Sequence, residues 1–315
     1  MTDTSDIIIV GGGLSGLSAA YELEQHGVSY TLIEVKPRLG GSVVSTTQNG
    51  FIMDGGPFAF PRADGWPTLH ALNLSDALYD LATPHKRQLT AFKNGTQTLT
   101  DALATCLTGT VIKRMAVTSV GLDDEGPGYR VCLENGLALR ARGVVVAVPA
   151  RYAERIFRTL APDVSAALDR YHYDHVTRIA LGYTAGNRPA KVPTSPPDVI
   201  FATLYNTDHP NRVPTGGLLV QTGVRVPLGR TTAEGLVRNV TETMGWGQPD
   251  AVFVNYWQEA DPLTITGPAT RLRGLENKLP DGIALVGGCY KPLTLPQRVE
   301  AARDAARQVV ATLNS

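Results

Sequence analysis

Charge, sulfur and long apolar runs are all scarce in this sequence, and each scarcity excludes something. Charged residues make up 18% of 315 positions, 29 basic against 29 acidic. So thin and balanced a charge offers no basic footprint for nucleic acid and none for an acidic membrane surface. Cysteine occurs three times, as Cys106, Cys132 and Cys289. An odd number at wide spacing supplies neither a disulfide framework nor paired metal ligands, so a reducing compartment and no metal are expected. The longest apolar stretch, residues 144–149, is far below the roughly 18 residues of a membrane span. Residues 1–6 lack the basic stretch that opens a secretory signal, and a soluble, cytoplasmic chain is the expectation. What is plentiful is glycine and proline, 32 and 21 residues, beside 43% hydrophobic residues. That is a globular, turn-rich composition, sufficient for one large core or two modest domains.

The sharpest pattern lies in the first forty residues. Residues 6–10 read DIIIV, a continuous apolar run suited to a buried parallel strand. Gly11-Gly12-Gly13-Leu14-Ser15-Gly16 follows at once, and then a helical pattern with Leu17, Ala20 and Leu23 on one face, closed by His26 and Gly27. Residues 29–34, SYTLIE, form a second strand ending in Glu34. Each part has a mechanical reason. Gly11 permits the tight turn, Gly13 lets backbone approach a pyrophosphate, and Gly16 lets helix and strand pack closely. Leu14 and Ser15 open a helix whose free N–H groups and positive dipole end face the phosphates. Glu34 accepts both hydroxyls of an adenosine ribose and repels a 2′-phosphate, which disfavours an NADP-type cofactor. Strand, turn, helix and acid in register predict dinucleotide binding at Gly11, Gly13, Leu14, Ser15, Gly16 and Glu34.

A second glycine pair then follows, in Lys36-Pro37-Arg38-Leu39-Gly40-Gly41-Ser42, and the chain runs through Gly50-Phe51-Ile52-Met53-Asp54 into Gly55-Gly56-Pro57-Phe58. At these residues the sequence resembles the FAD-dependent amine oxidase and protoporphyrinogen oxidase superfamily, with its E-x-x-x-R-x-G-G-R and G-F-x-x-D-x-G-P segments. The resemblance implies FAD as cofactor. It adds Lys36, Arg38, Gly40, Gly41, Ser42, Gly55, Gly56, Pro57 and Phe58 to the cofactor-binding set. It continues at residues 99–103, a short helix, and at 110–120, a strand where main-chain atoms at Val117 serve the adenine. Residues 144–150 resemble the strand whose end passes near the cofactor. Residues 282–307 resemble the closing flavin motif: strand 283–286, turn 287–295, helix 296–313. That motif implies Gly287, Gly288, Cys289, Leu295 and Gln297 as cofactor contacts, the helix turning its positive end toward a flavin that gains negative charge on reduction.

The fold class expected is α/β: a Rossmann-like FAD-binding domain with an interleaved, mixed α+β substrate domain. The bounds expected are 1–64, 100–150 and 271–315 for the first and 65–99 and 151–270 for the second. Strands are read at 117–122, 129–133 and 137–140, and Asn135-Gly136 marks a hairpin between the latter two. Tyr152, Ile156 and Leu160 mark a helix stopped by Pro162, and 231–244 a further one. Strands are expected at 179–183, 218–224 and 252–257, and a helix near 68–81. With that short 58–99 interval, which in the superfamily's larger members holds a long helical wall, the chain resembles a trimmed member of the superfamily. An open face, a partner subunit in a homo-oligomer, or a smaller substrate is expected to go with the trimming.

Two departures from the family pattern stand out. Ser42 replaces an arginine and removes one cation from the pyrophosphate, with Lys36 and Arg38 as replacements. Gly288 replaces the acid that grips the ribityl hydroxyls. Weaker FAD binding is the expectation from both. Chemistry beyond the cofactor is sparse, since a flavin N5 accepts hydride with little help from side chains. Arg178 falls where amine oxidases place a lysine. A guanidinium cannot be a base at neutral pH, so anchoring a carboxylate and lying on the surface of an edge strand are its two readings. Trp257 and Tyr290 are candidate aromatic walls for a small-molecule substrate. A covalent flavin at Cys289 is disfavoured, because the family's covalent cysteine lies in another segment. His172 and His175 flank Asp174 without the further ligands a metal site needs. The leading expectation is an FAD-dependent oxidoreductase acting on an amine or related small molecule by hydride transfer to N5. A flavoprotein desaturase or isomerase on the same scaffold, and a non-catalytic flavin or nucleotide binder, stand as alternatives.

Overall fold

The computed structural model describes residues 4–81, 88–171, 173, 176–192, 201–225, 232–257, 274–288, 290 and 293–313. The chain divides into two compact units, one of Met1–Gly41, Thr100–His172 and Thr264–Ser315, the other of Ser42–Leu99 and Tyr173–Leu263.

In the first unit the apolar run at the N-terminus becomes the strand Thr4–Val10, with Ile7, Ile8 and Ile9 fully buried. It lies between two parallel partners, Tyr30–Glu34 and Ala138–Val146. Thr110–Lys113 extends the sheet beyond Tyr30–Glu34. The strand Ala138–Val146 divides its other edge between two neighbours. Residues 138–141 pair antiparallel with Tyr129–Leu133, and residues 144–146 pair parallel with Ile283–Leu285. The two short strands expected at 137–140 and 144–150 are therefore one element, which ends at Val146. The strand that the resemblance implies over 110–120 is two, Thr110–Lys113 and the strand expected at 117–122, because Arg114 turns the chain with φ +58°.

Helices cover this sheet, as parallel strands buried on both faces require. Leu14–Gln25 buries Leu17, Ala20 and Leu23, and Gly27 closes it in the left-handed region with φ +62°. The 19-residue helix Leu295–Leu313 packs against it. The contact is tied electrostatically: the carboxylate of Glu22, 2% exposed, accepts from Arg303 and Arg307 at 2.5 Å each. Ala150–Phe157 and Pro162–Asp169 also belong to this unit, the first packing on Val117–Leu122. The expected bound at 150 is thus extended to His172, and Pro162 opens a helix at its first position rather than merely stopping one.

In the second unit a four-stranded antiparallel sheet runs in the order Phe201–Thr207, Leu218–Arg225, Val176–Tyr183, Ala251–Trp257. The helix Ala233–Met244 covers it, Leu236 and Val240 packing on Ile179, Leu181 and Val220. The hairpin of Ser45–Gln48 and Phe51–Asp54 seats Phe51 and Met53 against Ala180 and Leu219. That burial groups residues 42–64 with this unit, against the expected bound at 64. The helix expected near 68–81 is confined to Pro67–Ala71. Asn73, with φ +56°, breaks the pattern, and Leu78–Leu81 becomes a strand beside Leu89–Phe92. Among the described residues no helix is long and apolar enough to cross a membrane.

Candidate cofactor site

Register places the glycine turn. Ile33 pairs with Val10, Val10 with Val146, and Val146 with Leu285. Four parallel strands therefore end side by side, and the chain leaves them at Glu34, Gly11, Ala147 and Val286. This C-terminal edge is where open α/β sheets bind ligands. Gly11 has φ +102°, and a Cβ there would lie 2.8 Å from the carbonyl oxygen of Ala147. A Cβ on Gly16 would overlap the carbonyl oxygen of Gly11. Gly13 differs, since its Cβ would meet only the Cα of Gly41, at 3.7 Å. The space beside Gly13 is open, and a side chain would fill what a phosphate oxygen needs. Gly13 also caps the helix Leu14–Gln25 without any side-chain hydrogen bond. The first N–H groups of that helix thus meet no side-chain acceptor at the cap and suit an anion. Leu14 is buried and Ser15 half-buried at the start of the helix.

Glu34 is buried, 6% exposed, and each carboxylate oxygen accepts one backbone hydrogen bond. Gly12 N–H donates to Oε2 at 2.6 Å and Lys36 N–H to Oε1 at 2.8 Å. A carboxylate has about four acceptor positions, so capacity remains for two ribose hydroxyls. Gly12 is the residue that sequence reasoning passed over. Its Cβ would lie 2.5 Å from Leu39 Cδ2 and 3.2 Å from Glu34 Oε2. The available signal was a third glycine where the fingerprint asks only for any residue. The second glycine pair joins the same turn. Gly40 forms a parallel bridge to Gly13 and donates to Gly12 O at 2.8 Å, and a Cβ on Gly41 would lie 2.9 Å from the Cα of Gly13. Arg38 is exposed and folds over its own loop, donating to Leu39 O at 3.2 Å and Gly41 O at 2.9 Å. Lys36 is exposed beside it. Met115 N–H donates to Glu34 O at 3.1 Å, so the chain passes this acid two residues before Val117, which opens an edge strand.

The closing turn meets the same edge. Gly287 has φ +148°, and the buried Tyr290 donates its hydroxyl hydrogen to Val148 O. Tyr290 therefore serves as a pin between two turns. Gln297 reaches back to the start of the helix Leu295–Leu313, its Oε1 accepting from the N–H and the hydroxyl of Thr294 at 2.9 and 3.0 Å. Leu295 is buried at the first helical position. Gly288 adjoins Arg298: a Cβ there would lie 2.6 Å from Arg298 Nη1 and 2.7 Å from Nε. Cys289, His172, Asp174 and His175 lie outside the described residues. Among those described, no cluster of three His, Cys, Asp or Glu side chains is placed to hold a metal.

The remaining candidates belong to the second unit and have structural partners there. Gly55 N–H donates to Val44 O at 2.8 Å, and Asn255 Nδ2 donates to Gly55 O at 2.7 Å. Gly56 lies tight against the backbone of the half-buried Ser42. Pro57 O accepts from Thr96 Oγ1 at 2.7 Å, and the Phe58 ring carries the Arg212 guanidinium 5.1 Å from its centroid. Arg178, expected on an edge strand, is half-buried on a strand paired on both sides, opposite Gly223 and Asn255. Trp257 ends the next strand, its backbone opposite Val176. The glycine turns, Glu34 and the closing turn fit a dinucleotide-type cofactor by the open space at Gly13 and the half-satisfied buried carboxylate.

Comparison with known proteins agrees with this geometry. Residues 66–314 match the family model for flavin-containing amine oxidoreductases, and residues 9–72 that for an NAD(P)-binding Rossmann-like domain. The chloroplastic protoporphyrinogen oxidase of Oryza sativa subsp. japonica is 24% identical over 261 residues, 73% of this chain and 48% of that one. The mitochondrial protoporphyrinogen oxidase of Nicotiana tabacum is 33% identical over 95 residues, 30% of this chain and 18% of that one. The chain spans about half the length, or less, of these curated relatives. Among solved structures, a protein provisionally named protoporphyrinogen oxidase from Exiguobacterium sp. 255-15 matches over 100% of both chains, with TM-score 0.80 and 14% identity. Wild-type putrescine oxidase bound to putrescine matches over 98% of this chain and 99% of that one, with TM-score 0.72 and 14% identity. At such identity these two structures establish a shared fold.

Proposed function

The chain belongs to the flavin-containing amine oxidoreductase family, and from that premise we propose that it is an FAD-dependent oxidoreductase oxidising an amine or related small molecule. The observation that carries this reading is the alignment of Glu34, the Gly11–Gly16 turn and the Gly287–Gly288 turn along one edge of a parallel sheet. In this reading the first unit is the cofactor domain and the second the substrate domain.

Each group then has a task. Glu34, already fixed by two backbone N–H groups, accepts the hydroxyls of the adenosine ribose. Gly13 and the open end of the helix Leu14–Gln25 receive the pyrophosphate. The helix Leu295–Leu313 directs its positive end to the flavin and favours negative charge there. Bound FAD supplies the acceptor at N5 for the hydride lost from substrate, and oxygen or another acceptor takes those electrons onward. The protein contributes orientation and exclusion of water. Arg178, charged at every working pH, suits an anionic substrate group better than it suits proton transfer.

The purified protein is expected to show flavin absorbance, with FAD identified by mass after release. Anaerobic mixing with a panel of amines is expected to bleach that absorbance, and hydrogen peroxide to appear in air. The panel includes porphyrinogen-type substrates, since the curated relatives are named for them. A protein that copurifies with NAD and takes up no FAD overturns the reading. Flavin that no panel member bleaches overturns the catalytic part of it.

A further inference from the structure

The space a side chain at 288 would enter is held by the guanidinium of Arg298, ten residues along and in the first turn of the closing helix. Only glycine leaves that space free. The guanidinium is anchored there, Nε donating to Leu293 O at 3.0 Å, and the side chain is half-buried. Gly288 follows Leu285 by three residues, and Leu285 is in register with Val146 and, through it, with Val10. Two interstrand spacings, about 10 Å, therefore separate that strand end from the pyrophosphate turn.

We propose that Arg298 is a cofactor-binding cation. It holds the ribityl oxygens on the flavin side of FAD, in place of the acid absent at Gly288. A planar guanidinium with five donors suits a row of hydroxyl oxygens. The proposal rests on the FAD reading above.

The test is titration of apo-protein with FAD and separately with ADP, which lacks the ribityl and flavin groups, for wild type, R298M and R298K. Thermal unfolding of each protein checks folding. R298M is expected to weaken FAD at least tenfold and to leave ADP affinity within twofold. R298K, keeping the charge without the fork, is expected to fall between. Equal FAD affinity in all three proteins overturns the proposal. Tighter FAD binding by R298M overturns it too, because the guanidinium then occupies space the cofactor needs. If none of the three takes up FAD while all bind ADP, the underlying cofactor reading fails instead, and the inference with it.

Discussion

Arg212 and Asp54 form an ion pair from which water is excluded: Nη2 donates to Oδ2 at 2.7 Å, with the side chains 0% and 1% exposed. Around it, Arg212 Nη1 donates to Phe92 O at 3.2 Å, while Asp54 Oδ1 accepts from Thr96 N–H at 2.9 Å and from Ser45 Oγ. The aspartate of the G-F-x-x-D segment is thus the hub of the second unit. Truncating one partner strands a buried charge, which costs about 3–5 kcal/mol. R212M is expected to lose stability on that scale in urea denaturation, and D54N/R212M to recover part of it. A loss below about 1 kcal/mol for R212M would contradict this account.

The glycine turn separates folding from cofactor binding. G16A drives a Cβ into the Gly11 carbonyl, so misfolding or a strongly lowered Tm is expected. G13A meets ordinary contact at 3.7 Å, with φ −76° open to any residue, so its Tm in the absence of FAD should match wild type. Its FAD affinity should nevertheless drop by about tenfold or more, as an open phosphate space is filled. Equal FAD affinity for G13A and wild type would place the pyrophosphate elsewhere.

Glu34 gives a complementary measurement. E34Q keeps the shape and weakens the charge-assisted bonds, each worth about 1.5–3 kcal/mol. FAD affinity is expected to fall roughly tenfold or more by fluorescence titration. Affinity within twofold of wild type would remove Glu34 from the ribose.

Glu22 confers a pH dependence. Burial pushes its carboxyl pKa up, but the hydrogen bonds and charges of Arg307 and Arg303 outweigh this and hold it below the ordinary 4.5. With the folded pKa depressed, the stabilisation is fully present above about pH 4.5 and is lost as pH falls through the lower, folded value. E22Q is expected to cost about 2 kcal/mol at pH 7, less than a fully buried pair because Arg307 is 42% exposed. The gap to wild type should narrow in acid. A gap that stays constant from pH 7 to pH 3 would exclude the ionised clamp.

What was legible in the sequence was local. The strand, glycine turn, helix and acid of residues 6–34 can be read because every constraint lies within one βαβ unit, where a glycine answers to backbone only a few residues away. The strand Ala138–Val146 was read as two because its pattern changes midway. Its first half is partly exposed and pairs antiparallel, while its second half is buried and pairs parallel, so alternation gives way to a continuous apolar run. The 68–81 interval reads as one helix, because nothing within it reveals that Leu78–Leu81 finds a strand partner at Leu89–Phe92. Asp54 with Arg212, 158 residues apart, and Gly288 with Arg298 are pairs that only tertiary folding brings together.

The divided edge of Ala138–Val146 also sets an order of events during synthesis. Thr4 must wait for Arg140, and Val146 must wait for Leu285, before the parallel sheet can close. Such distant pairings make closure slow, since loop-closure entropy is spent before the contacts form. While residues 283–285 are still on the ribosome, the 144–146 half-edge presents unpaired backbone groups of three valines. A nascent chain stalled there is an aggregation-prone species, and chaperone dependence in the cell would follow from that interval.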